Sequence, residues 1–296
     1  MRSPRQIFTA IALVVLLSAG NGSAIAAETF PVLRHSHDLG LQRTLDGVVK
    51  SLKLKRVAAR GALALAVVDI TDLHHPRLAQ VNGNHMMYAA SLPKIGILLA
   101  ALHQVEQGEL PYSNGLRRSL IEMIRVSSNV EATRMMNLVG KHRVNAILAS
   151  PRYRLYDPHT NGGLWVGKEY GKRPAFARDP LHNISHGATA LQVARFYYLL
   201  ESGRLLGPQL SAAMKDALSR PAIEHKFVKG LKDSNVEIYR KSGTWRQWHA
   251  DSAIIESPRG RYILVGMVEH KRGGEWLSRI AATLHQRLYP SQIARH

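Results

Sequence analysis

The stretch Ser91-Leu92-Pro93-Lys94-Ile95-Gly96-Ile97-Leu98-Leu99-Ala100-Ala101-Leu102 sets a hydroxyl and an amine at the head of an apolar helix. Ile95, Leu98, Leu99 and Leu102 recur at helical spacing and Gly108 supplies a stop, so the pattern predicts a long helix beginning at Ser91. Pro93 is tolerated in a first turn, where its missing N–H needs no intrahelical partner. Three residues apart, Ser91 and Lys94 share one helix face. A serine hydroxyl is a poor nucleophile until a base takes its proton. An amine can be that base only when neutral, which requires burial or a second cation nearby. The helix N-terminus also favours the negative charge that develops on attack.

Two more polar motifs follow in order. Ser127-Ser128-Asn129 places a hydroxyl and an amide on one tight turn, ahead of a helical pattern from Val130. Lys241-Ser242-Gly243-Thr244 ends an apolar strand and offers a cation beside a backbone edge. Gly243 lets a ligand approach that backbone closely. Alone each motif is weak, since a chain this long contains about one Ser-x-x-Lys by chance. Together and in order they fit the parts of one reaction, acyl transfer to an activated serine.

Outward from these motifs the periodicity alternates in blocks. Leu41, Leu45, Val48, Val49 and Leu52 mark a first amphipathic helix, and strands follow over 62–70 and 77–82. Helical patterns run at 116–126, 130–139, 144–149, 188–201 and 208–219. Three strands at 236–241, 250–256 and 261–269 precede a last helix carrying Trp276, Leu277, Ile280, Leu284 and Leu288. Short links within each strand group favour antiparallel pairing. The expected fold class is α/β, in the α+β sense: one five-stranded antiparallel sheet built from both chain ends, flanked by helices, plus an all-α lobe. The α/β lobe takes residues 39–95 and 235–290 and the helical lobe 96–234, with the three motifs at their junction. The polar stretch 151–186 is too long to be a passive connection.

Residues 1–26 read as a signal peptide: Arg2 and Arg5, an apolar core from Ile7 to Leu17, then Ala24-Ile25-Ala26 as a cleavage site. Residues 27–296 then form a single catalytic domain, periplasmic or secreted and monomeric. The chain has no cysteine, which excludes disulfides, thiolate metal sites and a cysteine nucleophile. Arg34-His35-Ser36-His37-Asp38 has no companion ligand cluster and reads as a loop, so neither metal nor organic cofactor is expected. The net charge is +19. In an exported protein this disfavours nucleic acid as a partner and favours an anionic envelope surface or carboxylate-bearing substrates.

The triple signature S-x-x-K, S-D-N, K-T-G marks class A β-lactamases and penicillin-binding proteins. The chain resembles the penicillin-recognising serine hydrolases, and class A serine β-lactamases most, from about Leu41 to Leu288. The resemblance implies the β-lactamase/transpeptidase-like fold, Ser91 as nucleophile and Lys94 as its base. Ser127 would pass a proton to the departing nitrogen, and Asn129 would bind the substrate's side-chain amide. Lys241, Ser242 and Thr244 would hold a substrate carboxylate, and the N–H groups of Ser91 and Thr244 would form an oxyanion hole. The family's omega loop carries Glu-Pro-x-x-Asn. Here Tyr156-Asp157-Pro158-His159-Thr160-Asn161 keeps the Pro and the Asn, with Asp157 as the water-activating base, Asn161 beside it, and Glu169 as a second candidate.

The chain departs from the pattern in several places. Ser128 stands where class A enzymes usually carry Asp. The spacer between Lys94 and Ser127 is shorter, and residues 162–186 form a longer loop rich in basic and aromatic residues. The Arg usual after the third motif is displaced, leaving Arg246 or His249 to substitute. The implied function is a hydrolase opening β-lactams or peptidoglycan-like small molecules through an acyl-enzyme on Ser91. The alternatives are a D-alanyl-D-alanine peptidase and a slowly deacylating penicillin-binding sensor or envelope-binding module.

Overall fold

A computed structural model describes residues 30–290. The signal-peptide segment lies outside the described residues. Helices α1 (Leu39–Ser51) and α2 (Lys55–Ala59) precede strands β1 (Leu63–Asp69), β2 (Arg77–Val81) and β3 (Met87–Tyr88). Helices α3 (Lys94–Glu106), α4 (Asn114–Arg125), α5 (Asn129–Val139) and α6 (Lys141–Ala149) follow. Next come the short strands β4 (Tyr156–Asp157), β5 (Gly162–Gly163), β6 (Trp165–Val166) and β7 (His186–Ala188). Helices α7 (Ala190–Glu201), α8 (Pro208–Leu218) and α9 (Phe227–Leu231) lead to β8 (Glu237–Trp245), β9 (Trp248–Ser257), β10 (Gly260–Glu269) and α10 (Gly273–Leu288).

The main sheet has five antiparallel strands in the order β2-β1-β10-β9-β8, joining both ends of the described chain as the sequence predicts. Strand β1 is apolar from Leu63 to Val68 because it is interior and covered on both faces. Asp38 caps α1 through the Leu41 N–H, and Leu41, Leu45, Val48 and Val49 turn inward. That helix packs with α10 and α9 on one sheet face, around Phe227, Leu277 and Ile280. The other face is covered by α7, which sits on β1, β9 and β10 and continues into the core of the helical lobe. The terminal helices therefore cover only one face. At the centre of the helical lobe α3 is buried nearly all round, touching α4, α5, α6 and α8.

The segment 151–186 is not featureless. It holds the β4–β5 hairpin and contributes β6 and β7 to a three-stranded sheet, β3-β7-β6. Residues Ser91 to Pro93 form a tight turn ahead of α3, with Lys94 N–H donating to Ser91 O and Ile95 N–H to Leu92 O. The helix thus starts at Lys94, three residues later than the sequence suggests, because i→i+3 bonds tighten its entry.

Candidate active site

Three polypeptide segments meet around Ser91. It opens from the turn after β3, in contact with a cavity of about 630 Å³ that also exposes Asn129, Glu169, Tyr170, His186, Thr244 and Trp248. Ala90, just before it, has a left-handed φ of 51°, as has Ser127 at 59°. Neither is glycine, so both turns carry local strain held by their surroundings. Gly243 explains the close approach of β8. A Cβ there would lie 2.1 Å from Ala89 O and 2.8 Å from Ser91 N, so only glycine lets the strand lie on the nucleophile's turn. Strand β8 is a sheet edge. The Ser91 N–H has no partner among the described residues. An oxyanion stabilised by that N–H and the free edge of β8 is consistent with this geometry.

Lys94 is fully buried. Its Nζ donates to Ser127 O at 2.6 Å, Asn129 Oδ1 at 2.8 Å and Ser128 O at 3.2 Å, and lies 3.4 Å from Ser127 Oγ. The Tyr170 ring closes over it, with its centroid 4.5 Å from Nζ. Burial lowers the Lys94 pKa to about 7. A neutral Lys94 has two N–H groups, enough for its two shortest acceptors, and keeps a lone pair to take a proton.

Lys241 is also buried, and donates to Ser127 Oγ at 2.9 Å and to Ser242 O at 2.7 Å. Burial, then the neighbouring Lys94, Arg240 and Lys226, hold its pKa well below the ordinary lysine value. Ser127 Oγ accepts from Lys241, so its own hydrogen is free to be given to a departing group. Ser128 does something different, since its hydroxyl caps α5 through the Glu131 N–H at 3.2 Å. Serine and aspartate serve equally well as N-caps, which accounts for the departure at that position.

Sequence reasoning missed two groups. The first is Lys226, which enters α9 with φ 55° and is buried. It donates to Gly243 O at 2.6 Å, Thr244 Oγ1 at 2.8 Å and Ala250 O at 3.0 Å. Burial lowers its pKa to about 8. This lysine fills the place behind Thr244 for which Arg246 and His249 were the candidates. Thr244 accepts from it and so keeps its own hydrogen for a ligand. Arg246 instead turns the β8–β9 hairpin with its guanidinium over Trp245, and His249 packs against Gly273 and Gly274 with neither ring nitrogen partnered. The loop bearing Lys226 is clamped by the buried pair Arg240–Asp251. Asp251 also accepts the Phe227 N–H, and Arg240 donates to Ile223 O.

The second missed group is a run of ring contacts along the cavity floor. Trp248 meets Tyr88 at 6.0 Å, Tyr88 meets His186 at 6.3 Å, and His186 meets Tyr170 at 4.3 Å. Burial holds the His186 pKa down at about 4, so this imidazole stays neutral under Tyr170. No local signal marks these residues as partners, because they come from four separate segments.

The structure separates Asp157 and Asn161 from the nucleophile. Asp157 pairs with Arg154 at 2.8 Å and accepts the His159 N–H at 3.0 Å. It borders a different cavity, formed by 149–159, and does not line the one at Ser91. Asn161 donates to Asn84 O at 2.8 Å and lies on a third cavity. The expectation of Asp157 as water-activating base is corrected accordingly: the longer loop places this segment at a hairpin corner. Among the described residues, Glu169 is the one carboxylate lining the Ser91 cavity. It is ion-paired to Lys141 and lies 3.6 Å from Arg173. The hydrogen bond from Lys141 holds its pKa below the usual carboxylate range.

These features agree with what the chain is similar to. Its backbone superposes on a β-lactamase from Sphaerobacter thermophilus with a TM-score of 0.63 at 18% identity, covering 82% of this chain and 96% of that one. PBP-A gives 0.65 at 17% identity, over 88% and 99% of the two chains. A variant of PBP-A is also solved as an acyl-enzyme complex with penicillin G. The TLA-3 extended-spectrum β-lactamase gives 0.66 at 14% identity, over 84% and 98%. No curated protein matches the chain in sequence. The model of the beta-lactamase enzyme family matches residues 53–119 and 114–288, and the chain belongs to that family.

Proposed function

We propose that this protein, working outside the cytoplasm, opens β-lactam amides through an ester on Ser91 and releases that ester slowly. Family membership and the likeness to β-lactamases and to PBP-A support a β-lactam-hydrolysing or penicillin-binding function. In the first step the Ser91 Oγ–carbon bond forms, the lactam C–N bond breaks, and the Ser91 proton passes to neutral Lys94. The leaving nitrogen takes the Ser127 hydrogen, which is replaced from Lys94 or Lys241, so the serine proton ends on the nitrogen. Lys241, Ser242 and Thr244 would hold the carboxylate of the lactam-fused ring, and Asn129 its side-chain amide.

The observation that carries slow release is the convergence of Lys94 and Lys241 on Ser127 with no carboxylate on either among the described residues, under the Tyr170 ring. The one cavity carboxylate, Glu169, is held by two cations. A water-activating base needs a pKa near the working pH, and that pairing moves Glu169 the wrong way. A second reading, fast hydrolysis with Glu169 as base, rests on Glu169 facing the cavity. Labelling purified protein with a fluorescent penicillin and removing the excess distinguishes them. Label that persists supports slow release, and label lost within seconds supports hydrolysis.

A further inference from the structure

The cavity at Ser91 is lopsided in charge. Beyond the catalytic groups it is lined by Lys168, Lys172 and Arg178, all on the 162–186 loop, against a single acidic residue, Glu169. Glu169 is committed to Lys141 and Arg173, neither of which lines the cavity. Lys168, Lys172 and Arg178 make no ion pair among the described residues. Lys172 and Arg178 are exposed and Lys168 is half-buried, so all three charges meet the cavity water.

The loop that carries them is tied down. Lys168 O accepts from His186 Nε2 at 2.9 Å, Gly167 N–H donates to Ser185 O at 2.7 Å, and Arg178 donates to Asn183 O at 3.0 Å. The backbone at Lys168 and the Arg178 guanidinium are therefore placed before a ligand arrives, which leaves less ordering for binding to oppose. Trp245, 57% exposed, and Trp248 supply apolar surface at the same cavity.

A β-lactam's ring carboxylate does not need these cations. Lys241, Ser242 and Thr244 lie on a separate element, β8, and in the proposed acylation would meet it there. The loop cations are left facing whatever extends from the acyl side chain, past Asn129. We infer that the site selects acyl donors whose side chain carries a second anionic group, a carboxylate, set beside an apolar ring. This rests on the proposed acylation of Ser91 and names its substrate class.

Three penicillins differ at one side-chain carbon: benzylpenicillin is neutral there, carbenicillin carries a carboxylate and ampicillin an ammonium. Second-order acylation rates for the whole protein are read by intact mass. We expect carbenicillin to exceed benzylpenicillin by about tenfold at low salt, ampicillin to fall below it, and the carbenicillin advantage to shrink at about 0.5 M salt, where the screening length is ~4 Å. Lys172→Gln, an exposed change, should cut the carbenicillin-to-benzylpenicillin ratio by about threefold, and adding Lys168→Gln and Arg178→Gln should bring it near one. If the triple variant does not fold, the single variant and the salt series on the unaltered protein still decide. A ratio at or below one in the unaltered protein, or a ratio that neither salt nor Lys172→Gln moves, overturns the inference while leaving acylation of Ser91 standing. No adduct with any of the three overturns both.

Discussion

The half of the site that would make an ester and the half that would break it are built differently. Lys94, Ser127 and Lys241 come from three segments yet interlock within hydrogen-bonding distance around Ser127, with Ser91 on the turn that leads into Lys94. Asp157, Glu169 and Tyr170 all lie on the stretch 151–186, yet Asp157 borders a different cavity from the adjacent Glu169 and Tyr170. One carboxylate is turned to another cavity, one is ion-paired, and the ring occupies the space above Lys94. Acylation needs a base without water, so burial serves it. Hydrolysis needs a base with water beside it, so the same burial opposes it. Two reactions commonly paired on one site thus make opposite demands on the environment of Lys94.

That contrast can be broken most completely at the nucleophile. Ser91→Ala should abolish the covalent adduct with any penicillin, and an undiminished adduct in the mass spectrum would move the chemistry elsewhere. Next in size is Lys94→Arg. A guanidinium stays protonated, so acylation should fall by roughly 1,000-fold. Pre-steady-state labelling at near the unaltered rate would remove Lys94 as base.

The pH dependence follows with its sign. Lys94 must be neutral, and its pKa is lowered to about 7, so acylation should fall about tenfold for each pH unit below that value. The same shift bears on stability. Between about 7 and the ordinary 10.5 the unfolded chain holds a proton that the folded one has released, so this residue's contribution rises with pH across that window. Acid therefore works against both reactivity and fold through one side chain.

Tyr170→Ala sharpens the comparison. Opening the space over Lys94 to water should move the acid limb upward toward the ordinary lysine value, slowing acylation at neutral pH by about tenfold per unit moved. An unmoved limb in the pH–rate profile would show that the ring does not set the burial of Lys94. The smallest effects are expected from the carboxylates. Glu169→Gln and Asp157→Asn should each change label loss by less than about threefold. A slowing of ~100-fold in Glu169→Gln would restore it as a working base and favour the hydrolytic reading.

Much of the frame was legible because its signals are long. Strand β1 has seven residues and β9 and β10 ten each, enough for apolar runs to declare themselves, and their short links fixed the antiparallel order. The three motifs, far apart in sequence, do meet in the fold, where Lys94 and Lys241 both reach Ser127. Strands β3 to β7 escaped notice because two or three residues cannot show a period. Asp157 misled because matching the spacing within a motif says nothing of the length of loop that carries it. Residues 156–161 are instead pinned by Arg154 and Asn84. Lys226 gives no local sign at all. Its acceptors lie 17 to 24 residues away, on strands whose pairing exists only in the folded chain.

The left-handed Ala90 and Ser127 have a consequence for anyone seeking to toughen this protein. Each holds an angle that glycine adopts freely and an L side chain does not, at a cost of about 1 kcal/mol or more per position. Glycine at Ala90 would look attractive in a screen for heat resistance. Yet it would also soften the hinge from which the reactive hydroxyl is suspended. A screen that scored melting temperature alone would select a sturdier molecule with a wandering nucleophile, so survival and turnover have to be scored together at these two sites.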